Sequence, residues 1–196
     1  IHGMEAIRNR WLTRQLQAAL KALPVVVLTG ARQTGKTTLA QALPQKRTFL
    51  SLDDLGILGQ AHADPDSLLA SRPVTLDEVQ RAPELLLPIK RQVDRQRKAG
   101  DFLLTGSANL LLMGKVAESL AGRAVYLELA PFCPAEWQQR PGGLNPLDAL
   151  FEPDFKLSHW PDEKGDWQTW LLRGGFPSAL SAPTEEAREL WFTGYL

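Results

Sequence analysis

The chain has 196 residues, 44% of them apolar, which suits an ordinary globular protein with one well-buried core and a small further region. Lys plus Arg and Asp plus Glu both number 22, so overall charge gives no bias toward nucleic acid, an anionic membrane or an acidic substrate. The single cysteine, Cys133, excludes an intrachain disulfide, and no Cys and His cluster has zinc spacing, so we expect a cytoplasmic protein without a structural metal.

The first predicted element is a helix. Apolar residues recur at helical spacing from Met4 to Leu23, and Pro24 ends the pattern. Charged residues interrupt this segment, which argues against a secretory signal. No apolar run in the sequence is long enough to cross a bilayer, so we expect no membrane partner.

Short apolar runs follow, separated by segments with a helical pattern. Two of these segments, Thr37–Leu43 and Pro83–Lys98, are predicted helices between strands. The alternation predicts an α/β fold with a parallel sheet covered by helices. The predicted strands are Val25–Leu28, Thr48–Leu52, Val74–Leu76, Phe102–Thr105 and Ala124–Leu129.

The character of the sequence changes near Pro131. Five of the six tryptophans lie beyond Leu129, together with Pro and Gly residues that favour turns. We therefore predict a core over residues 4–130 and a smaller, mainly helical region over residues 131–196. Thr184 and two glutamates predict a helix start, and large apolar residues then continue to Leu196 without a stop signal, so we expect the natural protein to continue.

A glycine-rich segment between the first strand and the next helix carries a phosphate-binding pattern. Residues 30–37 (GARQTGKT) match G-x-x-x-x-G-K-[ST]. Such a loop directs backbone N–H groups at phosphate oxygens, while Lys36 reaches the β and γ phosphates and the Thr37 hydroxyl binds Mg²⁺. The pattern predicts that ATP and Mg²⁺ are the cofactors. The predicted nucleotide-binding residues are Gly30, Ala31, Arg32, Gln33, Thr34, Gly35, Lys36, Thr37 and Thr38.

Two carboxylates follow the strand that begins at Val74. Asp77 is predicted to hold Mg²⁺ together with Thr37, as an anion facing the cation. Glu78 is then free to polarise the attacking water as a general base. The alternative is that both acids are solvated loop residues at the end of a strand.

Two further candidates for the chemistry follow the acidic pair. Thr105 and Ser107 lie at the end of an apolar strand, where either hydroxyl could bind the γ-phosphate or the attacking water, and a helix cap at Ser107 is the alternative. Arg123 precedes the last strand and is a candidate for stabilising the charge of the transition state. A surface salt bridge is the alternative for Arg123.

Three other features have simpler interpretations. Asp53 and Asp54 follow the second strand, where a helix N-cap is favoured over a ligand. No candidate base adjoins Cys133 in the sequence, so we do not expect a nucleophile there. The segment from Lys90 to Lys98 is basic, but Asp94 interrupts it and no aromatic residues interleave, so a solvated helix face is favoured over a nucleic-acid surface.

The motifs together resemble the AAA-like ATPases that carry a C-terminal domain of unknown function. The resemblance implies a three-layer P-loop NTPase fold with a five-stranded parallel sheet of ASCE order, in which one strand separates the acidic-pair strand from the phosphate-loop strand. Members are much longer than this chain, so it implies that the C-terminal domain is missing or only begun after Pro131. The segments that carry the resemblance are Leu28–Leu39, Leu76–Gln80, Leu104–Ala108, Ser119–Arg123, and Pro131–Phe132 followed by Glu136.

These observations favour an ATPase whose hydrolysis cycle drives a conformational change in an attached C-terminal domain, which would select a macromolecular partner. One alternative is a nucleotide-gated binding or signalling switch with negligible turnover, which needs the same loop and metal ligands. A P-loop kinase for a small molecule is less favoured, because no arginine-rich lid follows Arg123.

Overall fold

The computed structural model describes residues 8–107, 120–139, 151, 153–154 and 167–195. The chain forms two compact units, Ile1–Ala130 and Pro131–Leu196, which are described separately. The first unit contains the sheet and all of the predicted phosphate-binding residues.

Five parallel strands form the sheet in the order β2-β3-β4-β1-β5. β4 therefore lies between the phosphate-loop strand β1 and the acidic-pair strand β3, so the predicted ASCE order and the α/β fold class are confirmed. The central strand β1 pairs with β4 on one side and with β5 on the other. The strands are β1 Val25–Thr29, β2 Thr48–Ser51, β3 Val74–Asp77, β4 Phe102–Thr105 and β5 Ala124–Glu128.

The two faces of the sheet bury separate apolar clusters. Val25 and Val27 of β1 lie in one cluster, while Val26 and Leu28 lie in the other, as the two-residue period of a strand requires. Because β1 is buried on both faces, its sequence is a continuous apolar run rather than an alternating one. Full burial of each such side chain stabilises the fold by about 1.5–3 kcal/mol.

The first helix is shorter than the sequence predicts. α1 spans Leu12–Ala22, whereas the apolar spacing predicted a helix from Met4; residues 4–7 lie outside the described part of the chain. Arg10 is non-helical and buried, with 7% of its surface exposed, and its guanidinium donates hydrogen bonds to two backbone carbonyls. These contacts account for the later start of the helix.

The connecting helices also differ from their predicted bounds. The predicted helix Pro83–Lys98 becomes a 3₁₀ turn at Pro83–Leu85 followed by α5, Leu86–Arg95. Arg97 lies beyond the helix end, and its guanidinium donates to the backbone carbonyl of Gly122 at 2.9 Å. The other helices in the described residues of this unit are α2 Lys36–Gln41, α3 Leu55–Ala63 and α4 Pro65–Leu68, and a second 3₁₀ turn spans Val79–Arg81.

Arg47 ties together the amino ends of two neighbouring strands. Its guanidinium donates to the Gly100 carbonyl at 2.6 Å, to the Val74 carbonyl at 2.7 Å and to the Thr75 hydroxyl at 3.1 Å. Burial lowers the pKa of Arg47 to about 10, and the nearby charge of Asp101 opposes that shift. The Arg47 side chain therefore acts as a partly buried hydrogen-bond donor that links two strands, rather than as a surface charge.

We expect Arg47→Met to lower the free energy of unfolding by about 3 kcal/mol, because several partly buried acceptors lose their donor. Arg91→Met is the matched control: Arg91 pairs with Asp66 at 3.1 Å, and both side chains are more than half exposed. The control should cost less than about 1 kcal/mol. Urea denaturation measures both variants, and equal losses would contradict the role of Arg47.

The described part of the second unit is helical. Thr184 caps the last helix, since its hydroxyl accepts a hydrogen bond from Ala187 N at 3.2 Å. Cys133 caps the first, and its backbone N–H in turn donates to the Glu136 carboxylate at 3.4 Å. No helix in the described ranges is both long and apolar enough to cross a membrane. The helices are α6 Pro134–Trp137, α7 Trp167–Arg173, α8 Pro177–Leu180 and α9 Glu185–Tyr195.

Candidate functional site

The phosphate-binding pattern forms the turn between β1 and α2, at the carboxyl edge of the sheet. Gly30 has φ +144° and packs against the residue that follows β5, where an added Cβ atom would meet the Leu129 carbonyl oxygen at 2.4 Å. Gly35 has φ +94° and an added Cβ would meet nothing within 4 Å. Both glycines are required by backbone conformation, but only Gly30 is also confined by its neighbours.

This difference predicts unequal costs for two alanine substitutions. Gly30→Ala is expected to lower the free energy of unfolding by about 3 kcal/mol or more, from strain at positive φ and from overlap with the Leu129 carbonyl. Gly35→Ala carries only the conformational strain of about 1–2 kcal/mol. Urea denaturation without nucleotide checks both, and a loss for Gly35→Ala as large as that for Gly30→Ala would contradict the confinement of Gly30.

Lys36, the first residue of α2, folds back over the loop. Its side chain is buried, and Nζ donates hydrogen bonds to the Ala31 carbonyl at 2.7 Å and the Gly30 carbonyl at 3.1 Å. Burial lowers the pKa of Lys36, while the negative charges of Glu78 and Asp77 oppose that shift. Two loop carbonyls therefore hold the ammonium group at the loop. Anionic oxygens can replace these carbonyls as its hydrogen-bond acceptors.

Thr37 and Asp77 meet although 40 positions separate them in the sequence. The Thr37 hydroxyl lies 3.0 Å and 3.1 Å from the two carboxylate oxygens of Asp77. Asp77 is almost fully buried at the end of β3 and also accepts a hydrogen bond from the Thr105 hydroxyl. Two hydroxyls thus satisfy and orient one buried carboxylate.

The chemistry of these oxygens fits a divalent cation. Hydroxyl and carboxylate oxygens are hard ligands of the kind that Mg²⁺ uses, and Mg²⁺ in nucleotide sites is typically held by only one or two protein groups and the phosphates. Thr37 and Asp77 provide such a pair. Within the described ranges, no group of three or more His, Cys, Asp or Glu side chains is arranged to hold a metal ion by itself.

Glu78 is held at both its backbone and its carboxylate. It has a left-handed backbone, with φ 57° and ψ 45°, and its N–H donates to the Thr105 hydroxyl at 3.4 Å. The Gln80 amide nitrogen donates a hydrogen bond to the Glu78 carboxylate. Sequence reasoning gave Gln80 no role of its own, since a polar residue in a turn is unremarkable without knowledge of its partner.

Arg10 is a second residue that sequence reasoning missed. Its guanidinium donates to the backbone carbonyl of Thr34, inside the phosphate loop, at 3.0 Å, and to that of Ala130 at 2.5 Å. The buried Arg10 thus restrains the loop through the backbone of Thr34. Within the loop, the Thr34 hydroxyl donates a hydrogen bond to the Ala31 carbonyl at 3.0 Å. Only its place as one charge in an amphipathic segment was visible in the sequence.

The remaining predicted loop residues differ in exposure. Arg32, Gln33 and Thr38 are exposed, while Ala31 is half-buried. Arg32 lies close enough for its positive charge to contribute to the lowered pKa of Lys36. Ser107 is half-buried, two residues beyond the end of β4, at the same edge of the sheet as the loop.

Arg123 lies at the opposite edge of the sheet. It precedes β5, and its carbonyl accepts a hydrogen bond from Val25 N at the start of β1, whereas the loop follows the end of β1. A five-residue strand separates the two positions by roughly 16 Å. Arg123 instead forms an ion pair with Asp94 of α5 at 2.5 Å. The structure therefore does not bring Arg123 to this chain's own loop, and the alternative of a surface ion pair is the arrangement found.

The acidic residues after β2 have structural partners. Asp54 caps α3, accepting hydrogen bonds from Gly56 N at 2.7 Å and Ile57 N at 3.1 Å, as the favoured interpretation predicted. Asp53 pairs with Arg81 at 2.9 Å, which ties the end of β2 to the turn that follows Glu78. Two residues of the predicted motifs, Ala108 and Ser119, lie outside the described residues.

Curated relatives of this chain are longer proteins. The uncharacterized protein Rv2008c of Mycobacterium tuberculosis is 33% identical over 193 residues, which cover 97% of this chain and 38% of that protein. The uncharacterized protein Mb2031c of Mycobacterium bovis matches with the same identity and coverage. The chain therefore spans about 38% of the length of these two relatives.

A solved structure shares the fold. The Walker-type ATPase PABY2304 of Pyrococcus abyssi superposes with a TM-score of 0.56 at 16% identity, covering 97% of this chain and 69% of that one. At this identity the likeness extends to the fold alone. A family model described as an AAA domain matches residues 23–138, which include the whole sheet, the phosphate loop and the acidic pair. The chain therefore belongs to the AAA domain family.

Proposed function

We propose that this protein binds ATP with Mg²⁺ and hydrolyses it. The observation that carries the proposal is the meeting of the Thr37 hydroxyl with the Asp77 carboxylate at 3.0–3.1 Å, at the edge of the sheet where Lys36 and Glu78 also lie. A hydroxyl after the loop lysine, a buried aspartate and a following glutamate are the parts that phosphoryl transfer from ATP requires. The AAA domain family and the shared ATPase fold support this proposal.

In the proposed complex, backbone N–H groups of the loop bind the phosphates. Lys36 exchanges its two carbonyl acceptors for β and γ phosphate oxygens, which form stronger, charge-assisted hydrogen bonds. Arg10 holds the loop in place through the Thr34 carbonyl. Arg32 and Thr38 are exposed. Arg32 would bind phosphate mainly through its backbone N–H, and Thr38 mainly through its hydroxyl.

Thr37 and Asp77 would hold Mg²⁺, which supplies neutralisation of the charge on the β and γ phosphates when bound. Thr105 supports this pair by donating to Asp77 from a fully buried position. The Thr105 hydroxyl has a single proton, which it donates to Asp77, so it has none left to donate to a phosphate oxygen. Ser107 is therefore the better candidate to bind the γ-phosphate or the attacking water.

Hydrolysis then requires a base beside the phosphate. Glu78 would accept a proton as a water oxygen attacks the γ-phosphorus, while the bond between that phosphorus and the leaving oxygen of ADP breaks. The negative charge of Glu78 acts on the Lys36 ammonium group, which indicates that the carboxylate and the loop lysine lie near each other. The products are ADP and inorganic phosphate.

The role of hydrolysis depends on the rest of the protein. Because the chain spans about 38% of its curated relatives, most of the length of those relatives lies outside the matched part. We infer that the ATPase cycle changes the conformation of an attached C-terminal domain, and that this domain binds a macromolecular partner. A nucleotide-gated switch with negligible turnover is the alternative use of the same site.

The proposal is tested by measuring phosphate release and ATP binding by the full-length protein, with Mg²⁺ and with EDTA. We expect turnover that EDTA abolishes, and loss of that turnover in Asp77→Asn. Tight binding without turnover would favour the switch instead. Failure of the wild type to bind ATP would contradict the proposed function altogether.

A further inference from the structure

The turn after the acidic pair contains a side-chain contact to the Glu78 carboxylate. Gln80 lies in the 3₁₀ turn Val79–Arg81, and its Nε2 atom donates a hydrogen bond to Oε2 of Glu78. An amide N–H₂ group can only donate, so it complements an ionised carboxylate. Arg81 of the same turn pairs with Asp53 at 2.9 Å.

Glu78 lies at the edge of the sheet where the phosphate loop also lies. It directly follows β3, whose last residue, Asp77, meets Thr37 at the end of the loop. The carboxylate that Gln80 holds therefore belongs to a residue next to the proposed metal ligands. The backbone N–H of Glu78 donates to the Thr105 hydroxyl at 3.4 Å, which holds the Glu78 backbone at this edge as well.

Stability of the fold does not explain Gln80. Its amide oxygen, Oε1, is buried and has no hydrogen-bond partner among the described residues. A buried carbonyl without a donor destabilises a fold, and an apolar side chain of similar length would avoid that cost. Residues that break the rule that buried polar atoms are hydrogen-bonded are commonly found at functional sites.

We propose that Gln80 is a positioning residue for ATP hydrolysis, whose amide holds the Glu78 carboxylate in one orientation beside the phosphate loop. This inference rests on the proposed function, since it assigns Gln80 a role through the base of that reaction. It differs from a restraint that keeps Glu78 away from the nucleotide, which would predict the opposite effect on turnover.

The test is the substitution Gln80→Met in the full-length protein, with Gln92→Met as the matched control. Gln92 lies on α5 and likewise has a buried amide oxygen without a partner in the described part of the chain. Both substitutions remove one such oxygen, but only the first removes a donor to Glu78. We expect kcat to fall about 10- to 100-fold in Gln80→Met, with KM for ATP and Tm not worsened, because a hydrogen bond to a charged group is lost. Gln92→Met should leave kcat unchanged.

A second arm asks whether Gln80 acts through Glu78. In a Glu78→Gln background, Gln80→Met is expected to produce no further loss of residual turnover, since residues acting as a unit are not additive. A further loss in that background would overturn the inference. An unchanged or increased kcat in Gln80→Met alone would also overturn the inference. A lower kcat accompanied by a lower Tm would overturn it as well, because it would indicate a structural role.

A third arm separates this inference from the proposed function. If the wild type binds ATP without turnover, hydrolysis is refuted, and crystal structures with Mg²⁺ and a non-hydrolysable ATP analogue decide the role of Gln80. The wild type should show one Glu78 orientation facing the nucleotide, and Gln80→Met should show several. The same single orientation in both proteins would overturn the inference.

Discussion

Glu78→Gln is expected to lower kcat for ATP hydrolysis by about 10²- to 10⁴-fold, which is the range of rate that general bases contribute. ATP binding is expected to stay within about twofold of the wild type. The glutamine side chain keeps the size of Glu78 and can still bond to its neighbours, but it cannot accept a proton from water. ATP binding is retained because the metal ligands Thr37 and Asp77 contact each other and not the Glu78 side chain. Phosphate release and equilibrium binding of ATP measure the two quantities separately.

Glu84→Gln is the matched control for this prediction. Glu84 lies in the next 3₁₀ turn and pairs with His62 at 2.6 Å, and about half of each side chain is exposed. The same chemical change at this position should leave kcat and binding unaltered. Unchanged turnover in Glu78→Gln would remove Glu78 as the base, and loss of ATP binding in the same variant would indicate a structural role instead.

The three central strands, β1, β3 and β4, could be predicted from the sequence because they are buried on both faces. Such strands are continuous apolar runs, and Phe102–Thr105 was located at its observed bounds. The phosphate loop and the acidic pair lie at strand ends, where local sequence determines the turn. The order of the strands came from the resemblance to known ATPases, since periodicity alone does not define which strands are neighbours.

Long-range contacts account for most of what the sequence did not show. Arg10 bonds to carbonyls 24 and 120 positions away, and a carbonyl acceptor leaves no mark on side-chain patterns. Gln80 is only two positions from Glu78, but its importance depends on which way a turn directs its amide. Both residues act through the folded arrangement of the backbone.

The placement of Arg123 shows how the direction of a strand limits where a residue can act. A residue that precedes a parallel strand lies at the amino edge of the sheet, and the phosphate loop lies at the carboxyl edge. The predicted topology therefore already implied that Arg123 is remote from this chain's own site.

Lys36→Met is expected to weaken ATP binding by about 100-fold, equivalent to about 2.7 kcal/mol, with little effect on the stability of the nucleotide-free fold. The affinity is lost because charge-assisted hydrogen bonds to phosphate contribute about 1.5–3 kcal/mol each. Stability is spared because burial already lowers the pKa of Lys36, so its charged form is costly in the absence of phosphate. Methionine fills a similar volume without that cost, although the Gly30 and Ala31 carbonyls lose a donor.

Thermal unfolding with and without Mg·ATP separates these two effects in one measurement. The wild type should unfold at a higher temperature when nucleotide is present, and Lys36→Met should lose most of that increase while its nucleotide-free Tm stays close to the wild-type value. Lys21→Met, an exposed position in the last turn of α1, is the matched control and should keep the full increase. A Lys36→Met variant with the wild-type increase would show that Lys36 does not bind the phosphates. A large fall in its nucleotide-free Tm would show instead that the two loop carbonyls depend on the ammonium group for the integrity of the fold.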